Sequence, residues 1–227
     1  DAARTTAVAP SLRQTALAVN EIFFSLQGES THVGRPCLFV RLTGCPLRCV
    51  WCDTAYAFTE GAPTTVGDVL DKLAAWPCRL VEVTGGEPLA QKGAVPLMQA
   101  LLDAGYEVLL ETSGAIALDG VPAAVTKIMD VKCPGSGEDA RNRLDNLRHL
   151  TPRDEVKFVI ADEADFRWAA EFCRQHRVPE RWATLFSPVH GQLAPESLAA
   201  WILRDGLNVR LQIQLHKLLW GAHTRGV

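Results

Sequence analysis

The segment Gly44-Cys45-Pro46-Leu47-Arg48-Cys49-Val50-Trp51-Cys52-Asp53-Thr54 places three thiols on one short loop with the spacing C-x3-C-x2-C. Three thiolates so placed can reach three corners of an iron–sulfur cubane and leave the fourth iron without a protein ligand. An open iron can bind a small molecule, whereas a cluster that only carries electrons is normally held by four cysteines. Zinc is the alternative, but structural zinc needs a fourth ligand and usually draws on paired C-x2-C knuckles. Asp53 is too near in sequence to complete a tetrahedron comfortably, and Cys133 is the only other tempting thiol.

Outward from this loop, short β-rich runs alternate with helical ones. Strand patterns cover Ala18 to Phe24, Cys37 to Leu42, Leu80 to Thr84, Glu107 to Glu111, Thr126 to Val131, Glu155 to Ile160, Ala183 to Phe186 and Val209 to Leu215. Thr65 is placed to cap a helix bearing Val66, Val69, Leu70 and Leu73 on one face. Further helices are predicted over Ala94 to Ala104, Glu163 to Gln175 and Pro195 to Arg204. Strand–helix alternation implies an α/β fold with a parallel sheet and right-handed crossovers. About six core strands are too few for a closed eight-unit barrel. Periodicity alone leaves an open, partial β/α barrel and a doubly wound sheet as the two candidates. The chemically loaded residues follow strands, where parallel α/β folds place their sites at the C-terminal ends.

The chain has 227 residues, 48% apolar and 22% charged, with a net charge of −3. That is ordinary for one globular domain and gives no basic cluster for a nucleic acid. No apolar run approaches the roughly 18 residues of a membrane span. Residues 1–17 lack steady periodicity and are expected to be a flexible leader, with a single domain over 18–227. Seven cysteines in a chain with this much core are not a disulfide framework. Cys37, Cys78 and Cys173 sit in apolar or helical patterns as small hydrophobes. Free thiols and an open cluster both suit a reducing, cytoplasmic setting.

With an aromatic residue before its third cysteine, the loop resembles the signature of the radical S-adenosylmethionine (SAM) superfamily. The resemblance implies a 4Fe-4S cluster on Cys45, Cys49 and Cys52, whose open iron chelates the methionine moiety of SAM. Val83-Thr84-Gly85-Gly86-Glu87-Pro88 is similar to the superfamily's GGEP element. More of the chain resembles the 7-carboxy-7-deazaguanine synthase family. The matching stretches are Asn20 to Glu29, Gly34-Arg35-Pro36, Phe39 to Leu42, Cys52-Asp53-Thr54, Glu111 to Gly114, Asp130 to Pro134 and Gln214-Leu215-His216-Lys217.

That resemblance implies ring contraction of 6-carboxy-5,6,7,8-tetrahydropterin to 7-carboxy-7-deazaguanine, with loss of ammonia, in queuosine biosynthesis. It implies pterin contacts at Leu26, Gln27, Gly28, Glu29 and Thr84, and carboxylate contacts at Arg41 and His216. Arg41 also stands on its own chemistry, as a rigid fork of donors at the end of an apolar strand. SAM contacts are implied at Gly86, Glu87, Ser113, Asp130, Val131 and Lys132, and a magnesium contact at Thr54. His216 is expected to end the last strand. An electron donor such as a flavodoxin or ferredoxin, and a homodimer, are the expected partners. Departures from the family pattern are Ser30 after Gln-Gly-Glu, Asp130-Val131-Lys132 for a Ser-Pro-Lys version, and a tail beyond Lys217. Two rivals remain: a radical SAM activase acting on a partner protein's glycine, and a zinc or electron-transfer module.

Overall fold

The computed structural model describes residues 8–227. Strands β1 (Ala16–Leu26) and β2 (Pro36–Leu42) form an antiparallel hairpin, and β3 (Ala62–Thr65) pairs antiparallel with β1 on its other side. A parallel β1–β2 pair would need a crossover of a dozen or more residues, which the 27–35 link cannot supply. The expected parallel sheet therefore begins only at β2. From there β4 (Leu80–Gly85), β5 (Glu107–Thr112), β6 (Thr126–Asp130), β7 (Glu155–Ile160), β8 (Ala183–Pro188) and the two-residue β9 (Arg210–Leu211) add in parallel.

The order across the sheet is β3-β1-β2-β4-β5-β6-β7-β8-β9. A doubly wound sheet reverses its strand order at a switch point. Here the parallel strands follow chain order without reversal, so successive right-handed crossovers stack on one side and the sheet curls around the other. Its two edges are not bonded to each other. The fold is an open, partial β/α barrel.

Helices α1 (Pro10–Arg13), α2 (Val66–Leu73), α3 (Ala94–Asp103), α4 (Glu163–His176), α5 (Val178–Arg181), α6 (Pro195–Arg204) and α7 (Leu215–Trp220) complete the described residues' α-helices. Thr65 caps α2 as its sequence foretold: its hydroxyl accepts from the Asp68 amide while the Asp68 carboxylate accepts from the Thr65 amide. The sheet's period-two alternation separates two environments. Leu38, Val40, Leu42, Val81, Val83, Val108 and Leu110 pack with α2 and α3 in one apolar cluster. Val156, Phe158, Ile160 and Phe186 pack with α4 and α6 in a second. The intervening residues, among them Arg41, Glu82, Thr84, Glu111, Asp130 and Lys157, face the concave side.

Two further expectations are corrected. Part of the predicted leader is structured: Arg13 pairs with Asp71 at 2.8 Å, and Leu17 is buried in the first cluster. Residues 1–7 lie outside the described residues. The last predicted strand shrinks to Arg210–Leu211, and His216 lies in α7 instead of ending a strand. The alternating Val209, Leu211, Ile213, Leu215 pattern imitates a strand. Yet Leu211 and Ile213 stay exposed, while Gln212 and Gln214 turn inward to bond the 28–30 loop.

At the opposite end of the sheet from the strand C-termini, Lys127 Nζ lies 3.2 Å from Asp154 Oδ2, both fully buried. The same carboxylate accepts from the Lys127 amide at 2.7 Å and the Thr151 amide at 2.6 Å. Removing it leaves an uncompensated buried charge. Asp154→Ala is expected to destabilise the fold by about 3–5 kcal/mol, read from the denaturant midpoint.

Candidate active site

The C-terminal ends of the parallel strands open into a cavity of about 820 Å³. One wall is the 44–54 loop between β2 and β3. Cys45, Cys49, Cys52 and Thr54 all line the cavity. Cys37, Cys78, Cys133 and Cys173 are buried elsewhere, so no fourth thiol joins the three. Among the described residues, no group of three or more His, Cys, Asp or Glu side chains converges on one ion. Structural zinc needs a fourth ligand, whereas a cubane can take three thiolates on three different irons and leave the fourth open. The donor set fits a cluster with one open iron.

Backbone contacts fix this loop. The Gly44 amide donates to the Ala57 carbonyl at 2.8 Å, and the Gly44 carbonyl accepts from Glu87 N at 2.8 Å. The Val50 amide reaches the Ser136 carbonyl at 3.1 Å, and Arg48 N donates to Glu138 at 2.5 Å. A Cβ at Gly86 would lie 2.3 Å from the Gly44 oxygen and 2.7 Å from Cys45 Cβ. Only glycine allows that approach. Burial raises the Cys45 and Cys49 thiols above their usual range, and the Lys132 ammonium partly offsets this at Cys49.

Arg41 points into the cavity from β2. Its Nε donates to Glu21 Oε1 at 2.7 Å, and the Tyr56 hydroxyl donates to the same oxygen at 3.0 Å. Its terminal nitrogens make no hydrogen bond to the described residues. A fork held at its base and free at its tip suits a bidentate carboxylate. His216 stands across the cavity against Gly28, where a Cβ would fall 2.2 Å from its Nδ1. Burial depresses its pKa, so the ring is neutral at physiological pH and acts there as a hydrogen-bonding group.

Between these ends runs a charged wall in which Glu29 and Asp130 were expected but Lys157, at its centre, and Glu82 were not. Lys157, from β7, donates to Glu29 Oε2 at 2.9 Å and to Glu111, and lies 3.9 Å from Asp130 Oδ2. Burial opposes its charge, but Glu111, Glu29 and Asp130 outweigh that and hold it well above the ordinary lysine range. Glu29 is likewise opposed by burial, yet falls below its usual value through Lys157 and Gln214. Gln27 Nε2 donates to Glu82 at 2.5 Å. Burial and then the Glu111 charge raise the Glu82 carboxyl well above its usual range. Lys157 was discoverable in the sequence by the criterion that picked out Arg41, a cation inside an apolar strand.

Most expected site residues meet here. Leu26, Gln27, Gly28, Glu29, Arg41, Thr84 and His216 line the cavity. So do Gly86, Ser113, Asp130 and Lys132. Asp130 Oδ1 is buried without a partner, while its Oδ2 accepts from Lys132 Nζ at 2.9 Å. An orphaned acceptor beside a cation and the thiol loop fits a bound molecule that brings its own donors. Two residues expected to touch SAM do not line the cavity. Glu87 is fully buried and accepts from Thr112 Oγ1 and from the Ser113 amide and hydroxyl, so its carboxylate ties the glycine loop to the end of β5. Val131 is packed into the second apolar cluster. Ser30 adopts φ +65°, which a glycine there would take without strain. Its amide bond to Gln212 at 2.5 Å and the His32 amide's bond to its hydroxyl at 3.1 Å hold it there.

The sequence profile of the radical SAM superfamily matches residues 39–130, from β2 through the thiol loop to the end of β6. That match covers 92 of the 227 residues, the segment that carries the thiol loop and its supporting strands. A 7-carboxy-7-deazaguanine synthase of Koribacter versatilis is 47% identical over 93% of this chain and 100% of its own length. One from Chlorobaculum tepidum is 44% identical over 93% of this chain and 97% of its own. The crystal structure of QueE from Escherichia coli shares the fold, with a TM-score of 0.75 over 88% of this chain and 95% of that one at 22% identity. This chain belongs to the 7-carboxy-7-deazaguanine synthase family.

Two outcomes follow from the geometry. Gly86→Ala is expected to fold but to bind less iron on anaerobic reconstitution, because the new Cβ displaces the Gly44–Cys45 backbone; the iron-to-protein ratio reads this. With Glu82 raised, the folded state keeps a proton that an ordinary glutamate near 4.3 releases on unfolding. Stability then declines as pH climbs from about 4 through the raised folded value. Thermal melts across that range are expected to show Glu82→Gln gaining on the unsubstituted protein as pH rises.

Proposed function

We propose that this chain is a carbon–nitrogen lyase converting 6-carboxy-5,6,7,8-tetrahydropterin to 7-carboxy-7-deazaguanine with release of ammonia, on the route to queuosine and related deazapurines. The observation that carries this is the meeting, in one cavity, of a three-thiol loop and a guanidinium fork with an unengaged tip. When bound, the cluster and SAM would supply the radical hydrogen-atom chemistry that the ring contraction needs.

The protein's part is to hold and orient. Cys45, Cys49 and Cys52 bind the cluster. Gly86, Ser113, Asp130 and Lys132 hold SAM, with Glu87 and Val131 supporting that wall from behind. Arg41 takes the substrate carboxylate on its terminal nitrogens, and the neutral His216 adds a hydrogen bond. Leu26, Gln27, Gly28, Glu29 and Thr84 present the mixture of donors and acceptors that a pterin edge requires. The Thr54 hydroxyl, facing the cavity 3.8 Å from Cys52 Sγ, offers magnesium one oxygen in a shell otherwise filled by substrate and water. Residues 222–227 also line the cavity and help to exclude water.

Within the same proposal, a flavodoxin or ferredoxin delivers the electron and the enzyme is a cytoplasmic homodimer. The free thiols and the exposed apolar side chains of Leu218, Leu219 and Trp220 favour these assignments. No helix among the described residues is long and apolar enough to cross a membrane. A radical activase would leave Arg41, Thr54 and His216 together without a role, although all three line this cavity.

An anaerobic assay with SAM, reductant, magnesium and 6-carboxytetrahydropterin, read by mass spectrometry, is expected to yield carboxydeazaguanine. Cys49→Ala is expected to abolish it. Arg41→Ala is expected to lower kcat/KM by about tenfold or more, with Arg41→Lys restoring only part. Formation of 5′-deoxyadenosine without the product would keep the cluster and overturn the substrate.

A further inference from the structure

The segment after α7 returns to the site. Gly221 takes φ +90°, the Thr224 hydroxyl bonds the Trp220 carbonyl at 2.5 Å, and residues 222–227 line the cavity. Arg225 anchors it. Its guanidinium carbon lies 3.7 Å from the Tyr56 ring centroid, and its Nη1 lies 2.9 Å from Glu60 Oε2. The backbone at Glu60 is fixed, because its carbonyl accepts from Asn20 Nδ2 at 2.7 Å and from Thr43 Oγ1 at 2.8 Å. On the inner side of Tyr56, its hydroxyl and Arg41 Nε converge on one oxygen of Glu21. The Arg41 guanidinium lies 5.9 Å from the same tyrosine ring.

We propose that Arg225 is a positioning residue for the substrate-carboxylate site: clamped between Tyr56 and Glu60, it sets the Tyr56–Glu21 pair that docks Arg41 Nε and leaves the Arg41 tip free. This deepens the function proposed above and rests on it for the identity of the carboxylate. The physical basis is a stacked cation, worth more on a partly shielded ring than an exposed ion pair is alone. With Arg225 gone, Tyr56 loses its outer packing, the Glu21 carboxylate loses a fixed donor, and Arg41 is released to pair with it through more than Nε. The cost falls on ligands that bring a carboxylate.

Two non-reactive fluorescent probes test this on the full chain with its cluster reconstituted: 6-carboxypterin, and pterin without the carboxyl group. Arg225→Ala is expected to weaken 6-carboxypterin binding by about tenfold and to leave pterin binding unchanged. Arg225→Lys, which keeps a cation over the ring, is expected to recover part of the loss, and Tyr56→Phe to reproduce it. Equal weakening of both probes would make the tail a cover with no role at the carboxylate site and would overturn the proposal. Unchanged binding of both would also overturn it. If the unsubstituted protein binds both probes alike, the carboxylate site itself falls, and the function with it. If it discriminates between them but forms no deazapurine, the function fails while the Arg225 comparison still decides the positioning role.

Discussion

An ammonium group enclosed by a parallel sheet must be neutralised where it stands, and the concave wall of this fold is built around that demand at Lys157. Its neighbours come from three parts of the chain: Glu29 from the 27–35 loop, Glu111 from β5 and Asp130 from β6. Glu29 in turn accepts from Gln212 at 3.1 Å and Gln214 at 2.7 Å. Gln214 and Lys217 reach Asp53 on the thiol loop, Lys217 at 2.6 Å. One network thus ties the first hairpin, the middle of the sheet, the cluster loop and the C-terminal helix. Removing Lys157 would leave Glu29 and Glu111 without their shared cation, at far greater cost than an exposed ion pair ever returns.

The cluster loop depends on a different economy, that of backbone contact. Its first residue, Gly44, is held by two amide–carbonyl bonds, and its crossing by Gly86 is closer than any side chain permits. Glu87 then locks the glycine turn to Thr112 and Ser113 at the end of β5. A carboxylate that accepts several internal bonds is a poor candidate for a further ligand. It is well suited to keeping Ser113 where a cofactor can meet it.

Much of this was legible in the sequence. Thiol spacing needs only local chain, and strand positions follow from apolar runs, so β4, β5 and β7 fell within a residue of expectation. The antiparallel start was not legible, because the expected strands leave twelve residues between them, and only the longer β1 and β2 of the fold cut the link to nine, too few to return a parallel strand. What local pattern could not supply was pairing across distance. Glu87 looks like a ligand until Thr112 and Ser113 are brought to it. His216 looks like a strand end until Gln212 and Gln214 bond the 28–30 loop. Arg225 sits in a tail with no periodicity, and only folding places it on Tyr56.

The polar interior also explains why the stabilising core lies outside the sheet. With Arg41, Glu82, Glu111, Asp130 and Lys157 on the concave face, that face cannot bury apolar area against itself. The hydrophobic contribution is left to the two clusters between sheet and helices. Alternation makes the division sharp: Val40, Val83, Leu110 and Phe158 sit one residue from the very side chains that line the cavity. A one-residue slip in any parallel strand would exchange the two faces, expelling aliphatic groups into the cavity and forcing charges under the helices. Register is therefore enforced from both sides, and the chemistry of the site is itself one of the constraints that select the fold.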